Sequence, residues 1–458
     1  MFGTTIAAIS TPPGKGGVAL IRISGAEAAS IAEICFWPKS GKPLPSLPVR
    51  QAVYGDILKN GKSIDDGIAI YYKAPNSYTG EDMVELICHG GMLLTETVLS
   101  AVLSAGAKCA EAGEFTKRAY LNGKITLSEA EAVALLLEAK TESQLAISTR
   151  AAGAKLREAT SALSGELTSL LSSLYASIDY PDEDLAELST DEVVASLKST
   201  LTKVQSLSNT YRTGHAISDG IRTVICGRPN VGKSSLYNCL CQKECAIVTD
   251  EAGTTRDVLE RTVSIGKATL LLCDTAGLRT TESKAEQMGI DKAHEYLKEA
   301  ELILAVFDGA SRLEQEDIDL LEELKTLSAP IVAVLNKTDA GICEDTKNKV
   351  EKSCQTVLSL SAKDGNISAL TQLIESLFID EKLTLGESAI VASARQKASF
   401  DRAIELLNYA IASFEGGFST DVSATVVEEA IGALGEINGR QVSEQIVGEI
   451  FSHFCVGK

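Results

Sequence analysis

Residues 227–234 have the composition and spacing of a loop that binds phosphate. They read Gly-Arg-Pro-Asn-Val-Gly-Lys-Ser and directly follow the apolar run Thr223–Cys226, which predicts a buried strand. Glycine at both ends allows the backbone amides to turn inward around phosphate, and the helix predicted to begin at Lys233 adds the positive end of its dipole. We expect Lys233 to reach the outer phosphates and the Ser234 hydroxyl to ligate Mg²⁺.

Two further segments are typical of the machinery that surrounds such a loop. Asp274-Thr275-Ala276-Gly277 follows a predicted strand at Thr269–Cys273. We expect the Asp274 carboxylate to lie in the coordination shell of Mg²⁺ and the Gly277 amide to donate to the γ-phosphate. Thr255, in Gly253-Thr-Thr-Arg-Asp257, is the natural switch threonine.

The nature of the base follows from a fourth segment. Asn336-Lys337-Thr338-Asp339 comes after a predicted strand at Ile331–Leu335. The Asp339 carboxylate can accept two hydrogen bonds from N1 and N2 of guanine, and adenine offers no such pair of donors. We therefore expect GTP, with the remaining base contact from Ser361-Ala362-Lys363.

The predicted nucleotide domain departs from the Ras pattern in two respects. Leu278 stands where Ras-like proteins have the glutamine that orients the attacking water. Arg256 and Arg279 are the arginines close enough in sequence to be considered as an arginine finger. Asn230, with the oxygen-rich loop Thr249–Thr255, resembles GTPases that use a monovalent cation, usually K⁺, in place of the arginine charge. Those enzymes become active when their nucleotide domains pair.

Length and composition restrict the class of protein. The chain has 458 residues, enough for about three domains, and 45 % hydrophobic and 23 % charged residues are ordinary for a globular protein. The longest apolar runs are too short for a bilayer and no leader pattern opens the chain, so we expect a cytoplasmic protein without membrane insertion. A net charge of -19 argues against broad nucleic-acid binding by this chain alone.

The nucleotide segment, residues 220–380, is predicted to be inserted between helical segments. Residues 1–121 alternate strand and helix patterns and predict an α+β domain, whereas 122–219 and 381–458 have helical periodicity. Tyr211–Gly220 is interpreted as a linker. Three polar, glycine-containing stretches of the first domain could be tight turns or binding loops, namely Thr11–Gly17, Asn76–Asp82 and Gly113–Arg118 with Asn122–Lys124.

The chain ends in Phe454-Cys-Val-Gly-Lys458. This ending resembles the MnmE (TrmE) family of tRNA modification GTPases, and the resemblance extends over essentially the whole chain. It is also carried by Gly227–Ser235, Gly253–Asp257, Thr11–Gly17, Tyr78–Glu85 and Glu114–Lys124.

The resemblance implies a fold and a reaction. The fold is a multidomain α/β protein: an α+β domain that binds tetrahydrofolate and dimerises, a helical domain, and an inserted Ras-like P-loop domain with a mostly parallel sheet. The family acts with an FAD-dependent partner subunit, MnmG, and places an aminomethyl or carboxymethylaminomethyl group on C5 of the wobble uridine. The implied carbon donor is 5-formyl- or methylene-tetrahydrofolate. A homodimer, a heterotetramer with MnmG and tRNA held mainly by that partner are implied as well.

The resemblance also implies roles for individual residues. Glu286 is matched to the family's water-orienting glutamate and acts with Lys233; Glu251 stands where an aliphatic residue is expected, although its cation contact is a backbone carbonyl. The implied folate contacts are Arg22, Glu85, Lys124 and Lys458; those to K⁺ are Asn230, Thr249, Glu251 and Thr254; those to Mg²⁺ are Ser234 and Thr255. The GTP site is predicted to comprise Asn230, Val231, Gly232, Lys233, Ser234, Ser235, Thr249, Asp250, Glu251, Ala252, Gly253, Thr254, Thr255, Asp274, Thr275, Ala276, Gly277, Asn336, Lys337, Asp339, Ser361, Ala362 and Lys363.

Alternatives remain open at this point. Arg22 and Lys124 could be surface charges, and Cys455 could be a catalytic or a structural thiol. A regulatory GTPase of ribosome assembly or stress signalling would explain the P-loop segment, but not the set Arg22, Glu85, Lys124 and Lys458. A folate-dependent one-carbon enzyme acting alone is the third hypothesis, and it lacks an evident site for a redox cofactor.

Overall fold

The computed structural model describes residues 3–179, 189–243, 260–273, 296–440, 442–452 and 454–457. The chain divides into two compact units, residues 1–134 with 435–458 and residues 135–434. The first unit therefore contains both ends of the chain. The division of the sequence at residues 121, 219 and 380 stays a prediction.

The first unit is built on a mixed sheet, in a segment where the predicted alternation of strands and helices is confirmed. The strands are β1 Ile6–Ile9, β2 Val18–Ser24, β3 Phe36–Pro38, β4 Ala52–Lys59, β5 Lys62–Tyr72, β6 Met83–His89 and β7 Lys108–Cys109. They lie in the order β3-β4-β5-β6-β2-β1-β7. All neighbouring pairs are antiparallel except β1 and β7.

Two helices, α1 (Ala28–Cys35) and α2 (Met92–Ser104), cover one face of this sheet. Strand side chains alternate between the faces, so Ile21, Ala69 and Leu86 are buried beneath the helices. Their neighbours in sequence point to the opposite face. An α+β arrangement is thus confirmed, and one face of the sheet remains available for other elements.

The interpretation of 113–118 as a polar loop is wrong. Residues Glu114–Leu121 form a helix, α3, in which Phe115 and Arg118 are fully buried. Gly113 starts it from a left-handed conformation, φ 64°, and a Cβ there would lie 2.5 Å from the carbonyl oxygen of Phe451. The polar residues that suggested a loop in fact pair with one another beneath the surface.

The second unit contains the sheet of the nucleotide segment. Its strands are β8 Ile221–Cys226, β9 Glu260–Ile265, β10 Ala268–Cys273, β11 Leu302–Asp308, β12 Ile331–Asn336 and β13 Thr356–Ser359. They lie in the order β13-β12-β11-β8-β10-β9, and all neighbouring pairs are parallel except β9 and β10. The central strands are almost continuously apolar, and both of their faces are covered. The predicted mostly parallel sheet is confirmed.

The predicted helical character of the remaining segments is confirmed. In the helix Arg150–Asp179 (α6), Leu156, Leu163 and Leu170 are buried as the periodicity predicts, whereas Ile178 near its end is 39 % exposed. The helices that follow α3 among the described residues are α4 Leu127–Glu138, α5 Glu142–Ile147, α6 Arg150–Asp179, α7 Thr190–Asn209, α8 Tyr211–Ser218, α9 Lys233–Lys243, α10 Gln315–Leu324, α11 Glu344–Ser353, α12 Ser368–Phe378, α13 Ala394–Glu415, α14 Thr420–Ile437 and α15 Glu444–Ser452. Within the described ranges, no helix has the length and apolar character needed to cross a bilayer.

The interpretation of 211–220 as a linker is also wrong, because α8 is a packed helix. Thr213 Oγ1 donates to the Phe378 carbonyl at 3.2 Å, and Ser218 Oγ donates to the Ala392 carbonyl at 3.0 Å. Gly214 lies so close to the segment that leaves the nucleotide sheet that a Cβ would lie 1.9 Å from the Val391 carbonyl oxygen. The chain thus enters and leaves the nucleotide sheet through segments that are hydrogen-bonded to each other.

Candidate functional site

The phosphate-binding loop leaves the carboxyl end of β8 and leads into α9. Gly227 has φ 142°, and a Cβ there would lie 2.3 Å from the Val306 carbonyl oxygen. Gly232 has φ 103°, and a Cβ there would lie 2.0 Å from Asn336 Nδ2. Both positions therefore require glycine, for conformation and for close approach. Asn230 has φ 64°, a conformation that asparagine tolerates better than most residues.

Lys233 lies over the loop that precedes it. Its ammonium donates to the carbonyls of Gly227 and Arg228, both at 2.8 Å. Ser234 and Ser235 are exposed at the start of α9. The first turn of α9 thus carries one ammonium and two accessible hydroxyls, next to the backbone amides of the loop. Amides and an ammonium can bind the phosphates, and a hydroxyl can ligate Mg²⁺.

Asn336 joins the phosphate-binding loop to the segments predicted to hold the base. Its side chain, only 3 % exposed, donates from Nδ2 to the Val231 carbonyl at 2.9 Å. Its Oδ1 accepts from the Ala362 amide at 2.9 Å. Sequence reasoning placed Asn336 among the GTP contacts, but the geometry makes it the link between three loops.

Asp339, predicted to contact the base, is held by residues of the segment that follows β13. Ser361 Oγ donates to its Oδ1 at 3.0 Å, while the Lys363 ammonium stands 4.0 Å from Oδ2. The Asp339 side chain is 32 % exposed, so the carboxylate is accessible. The structure thus brings Asp339, Ser361 and Lys363 together as predicted.

Lys337 turns away from Asp339 at a left-handed backbone position, φ 65°. Its ammonium donates to Asp308 Oδ2 at 2.7 Å, at the carboxyl end of β11. Burial acts to raise the pKa of Asp308, but hydrogen bonds from Lys337 and from the Ala310 amide outweigh burial and hold that pKa below its usual value. The pair fixes the base segment against the neighbouring strand.

Arg228 is a site residue that sequence reasoning did not single out. Its Nε donates to Asp317 Oδ2 at 2.9 Å, and its Nη1 lies 3.0 Å from Glu314 Oε1. Asp317 is buried, and it also accepts from the Glu314 amide at 3.0 Å. The phosphate-binding loop is thereby tied to the start of α10, by partners more than 80 residues away that no local signal could reveal.

Several predicted nucleotide and metal residues lie outside the described residues, and their assignments stay predictions. They are Thr249, Asp250, Glu251, Ala252, Gly253, Thr254, Thr255, Arg256, Asp274, Thr275, Ala276, Gly277, Leu278, Arg279 and Glu286. Among the described residues, no group of histidine, cysteine, aspartate and glutamate side chains is arranged to hold a metal ion.

In the first unit, Arg22 and Glu85 are opposite each other on β2 and β6. Arg22 donates from Nε and Nη2 to Glu85 Oε1, at 3.1 and 2.8 Å. The Tyr72 hydroxyl donates to Oε2 at 3.1 Å, and burial together with the Glu85 charge raises the pKa of Tyr72. By strand alternation these groups occupy the sheet face opposite α1 and α2. They form one part-buried ionic group rather than separate surface charges.

The Arg22 guanidinium lies over two aromatic rings and beside the C-terminal segment. Its Cζ is 5.5 Å from the centre of the Tyr78 ring and 5.7 Å from that of Phe115. Its Nη1 donates to the Gly457 carbonyl at 3.4 Å, which also accepts from Ser10 Oγ at 2.8 Å. The end of the chain is thus bound at Arg22. Lys458 itself lies outside the described residues.

Lys124 follows α3 and lies against the segment that leads into the loop carrying Tyr78. Its ammonium donates to the Pro75 carbonyl at 2.9 Å, and Asn122 Nδ2 donates to the Thr79 carbonyl at 2.7 Å. Cys455 is exposed, which is the accessibility that a reactive thiol requires. The structure therefore places Arg22 and Glu85 in contact and Lys124 against the adjoining loop.

Comparison with known proteins gives matches over nearly the whole chain. Residues 5–124 match the family described as GTP-binding protein TrmE N-terminus, and residues 127–455 match the MnmE helical domain. Three full-length relatives carry the name tRNA modification GTPase MnmE. That of Carboxydothermus hydrogenoformans is 38 % identical over 466 aligned residues, covering 100 % of both chains. That of Symbiobacterium thermophilum is 40 % identical over 457, covering 99 % of each. That of Thermotoga maritima is 38 % identical over 460, covering 99 % of this chain and all of the relative.

Proposed function

Since the chain belongs to the MnmE family of tRNA modification GTPases, we propose that it couples GTP hydrolysis to modification of C5 of the wobble uridine in tRNA. The chain is a GTP hydrolase. The observation that carries the proposal is the single hydrogen-bonded assembly in which Asn336 joins the phosphate-binding loop to Ala362 and the base segment. These hydrogen bonds hold the phosphate-binding loop and the base segment in one arrangement, as binding of a single GTP by both requires.

Nucleotide recognition is assigned to groups of this chain. The backbone amides of Asn230, Val231 and Gly232 donate to the phosphates, Lys233 exchanges its carbonyl partners for phosphate oxygens, and Asp339 accepts from guanine N1 and N2. The Asp339 carboxylate is accessible while Ser361 fixes its orientation. This arrangement supports GTP over ATP because only guanine offers the matching pair of donors.

We assign the cation sites on the same basis. Mg²⁺ would be held by Ser234 and Thr255, and K⁺ by Asn230, Thr254 and the carbonyls of Thr249 and Glu251. When bound, the cations stabilise the charge that develops on the phosphates, an effect that an arginine finger provides in other GTPases at about 10³–10⁵-fold in rate. Glu286 orients the attacking water. The exposed Ser234 and the left-handed Asn230 support this assignment.

The group around Arg22 is assigned to a tetrahydrofolate, which supplies the transferred carbon. Glu85 accepts from the pterin, while Arg22, Lys124 and Lys458 provide positive charge for the rest of the molecule. Support comes from the contact of Arg22 with Glu85 and from the half-buried apolar side chains Leu20, Ile68 and Ile87 in register beside them. The flat pterin ring could pack against the apolar surface that these three side chains form.

The proposed partners are those that the family implies, and charge and surface are consistent with them. A homodimer through the N-terminal segment is supported by its exposed apolar side chains, among them Val18, Ile34, Met92 and Leu93. An FAD-dependent MnmG-type subunit completes the redox chemistry in a heterotetramer and holds most of the tRNA. A net charge of -19 supports that division. We also propose that segments 1–121, 122–219, 220–380 and 381–458 act as the functional domains.

The test is wobble-uridine modification in a reconstituted mixture of this chain, the flavoprotein subunit, tRNA, a tetrahydrofolate donor and GTP. We expect modification with GTP and K⁺, and none when a nonhydrolysable analogue replaces GTP. Equal modification with the analogue would refute the coupling. Equal hydrolysis rates in K⁺ and Na⁺ buffers would remove the cation from the mechanism without affecting the rest.

A further inference from the structure

Arg118 is the largest fully buried side chain described in the protein. Its Nη2 donates to Glu114 Oε1 at 2.7 Å, its Nη1 donates to Glu81 Oε2 at 3.0 Å, and Nη1 also donates to the Thr4 carbonyl at 2.9 Å. Removing a guanidinium and two carboxylates from water is costly, and apolar residues of similar volume often stabilise a fold equally well. Stability alone therefore does not account for a charged group at this position.

The two carboxylates that Arg118 joins belong to different elements. Glu114 begins α3, and Glu81 lies next to the last residue of the loop 76–82, where it also accepts from Ser24 Oγ at 2.9 Å. The same two elements are joined a second time by the Tyr78 hydroxyl and Thr116 Oγ1, which are 2.9 Å apart. Arg118 thus holds the loop and the helix at a fixed separation.

Each of these elements contributes one ring to Arg22. Tyr78 comes from the loop and Phe115 from α3, at 5.5 and 5.7 Å from the Arg22 guanidinium. The rings, together with the Glu85 carboxylate, restrict the direction in which the guanidinium can point. A shift of the loop relative to α3 would move one ring away and release Arg22.

We propose that Arg118 is a positioning residue for the tetrahydrofolate site, which acts through Tyr78 and Phe115 to fix the Arg22–Glu85 pair. The inference rests on the proposed folate site of the preceding subsection. Arg118 does not touch the folate itself. It sets the geometry that lets Arg22 and Glu85 meet the ligand together.

The experiment measures binding of 5-formyltetrahydrofolate by titration calorimetry to the full-length chain and to Arg118→Met, Arg22→Gln and the double variant. We expect Arg118→Met alone to weaken binding at least tenfold. In the Arg22→Gln background the same substitution should change affinity less than twofold, because its effect passes through Arg22. Arg118→Lys, which keeps the charge but loses the planar fork, should bind with intermediate affinity. Arg157→Met, the same change at an exposed position, is the control.

The outcomes separate the two proposals. Failure of the unaltered chain to bind the folate would overturn the proposed folate site. Normal affinity of Arg118→Met, or equal losses in both backgrounds, would overturn the positioning role and leave the site intact. If circular dichroism shows that Arg118→Met does not fold, Thr116→Val decides, since it removes only the hydrogen bond to Tyr78. It should weaken folate binding two- to fivefold in the unaltered chain and not in Arg22→Gln, and any other result would refute the role.

Discussion

The nucleotide site and the Arg22–Glu85 site are assembled in different ways. In the nucleotide site the phosphate-binding loop, Asn336 and Asp339 lie where strands of a mostly parallel sheet end, and Lys233 begins the helix that follows the loop. In the other site, Arg22 meets Glu85 from a neighbouring strand, Phe115 from a helix and Gly457 from the far end of the chain. The first combines the local backbone conformation of the phosphate-binding loop with long-range contacts of Asn336 and Arg228, whereas the second consists of contacts between distant segments alone.

This difference has a consequence for mutation. Where local backbone conformation fixes a site, as at Gly227 and Gly232 of the phosphate-binding loop, binding is lost when those residues themselves are changed. A site assembled from distant side chains also fails when a supporting residue changes. The two sites lie in separate compact units, so each variant below is measured for both GTP hydrolysis and folate binding.

The largest effect is expected for Lys233→Ala. Loss of the ammonium from the phosphates should lower the GTP hydrolysis rate about 100- to 1,000-fold, measured as phosphate release at saturating GTP. Folate affinity should not change. Lys203→Ala, at an exposed ion pair with Glu166, is the control. A change in folate affinity for Lys233→Ala would show that the two sites are not independent.

Asp339→Asn should alter the choice of base. An amide in place of the carboxylate keeps one acceptor oxygen and sets an N–H donor against the other guanine donor, so GTP affinity should fall about 100-fold, on the order of 3 kcal/mol. Xanthosine triphosphate, which offers a carbonyl where guanine has an amine, should become the better substrate. Competition between the two nucleotides measures the change. Retained preference for GTP would contradict the assignment of Asp339.

Gly457→Ala should weaken folate binding about tenfold and leave GTP hydrolysis unchanged. Gly457 has φ 96°, and a Cβ there would lie 2.2 Å from the Ile9 carbonyl oxygen, so the terminal segment must move away from Arg22. Gly448→Ala is the matched control, because a Cβ at that position meets nothing within 4 Å. Equal folate affinity for both variants would remove the terminal segment from the site.

The smallest effect concerns His215 on α8 and appears in stability. Its hydrogen bonds to Asp219 and Glu301, at 3.0 and 2.7 Å, raise its pKa from 6.5 to about 9. Because the folded pKa is higher, this contribution is complete below pH 6.5 and is lost as the pH rises through 9. It should amount to on the order of 1 kcal/mol, since the side chain is partly exposed.

Urea unfolding between pH 6 and pH 10 checks the sign. The unaltered chain should lose stability relative to His215→Gln across this window, and the two curves should be parallel at higher pH. His89→Gln is the control, because His89 also pairs with a carboxylate, Asp65, but is 68 % exposed. A constant difference between the unaltered chain and His215→Gln at all pH values would refute the charge contribution.

The sequence was informative where chemistry is local. The phosphate-binding loop, the parallel strands and the guanine segment were predicted because each motif lies within a few residues of the strand that positions it. The helical segments were predicted because leucines such as Leu156 and Leu163 repeat with the helical period. Two segments were misinterpreted, 113–118 and 211–220. Both are rich in small and polar residues, which indicate loops on average, but here the polar groups find partners in distant segments.

By itself, the sequence determined the nucleotide, the order of the elements that bind it and the family. These depend on backbone conformations and periodicities that neighbouring residues dictate. Only the tertiary structure decided that Asn336 links three loops, that Arg228 is tied to α10, and that Arg118 is a buried charge rather than a polar loop residue. Contacts of this kind join residues 37 to 114 positions apart. The free energy of such a contact depends on how deeply it is buried and on which partner the fold brings to it. Neither quantity can be predicted from the residues that neighbour it in sequence.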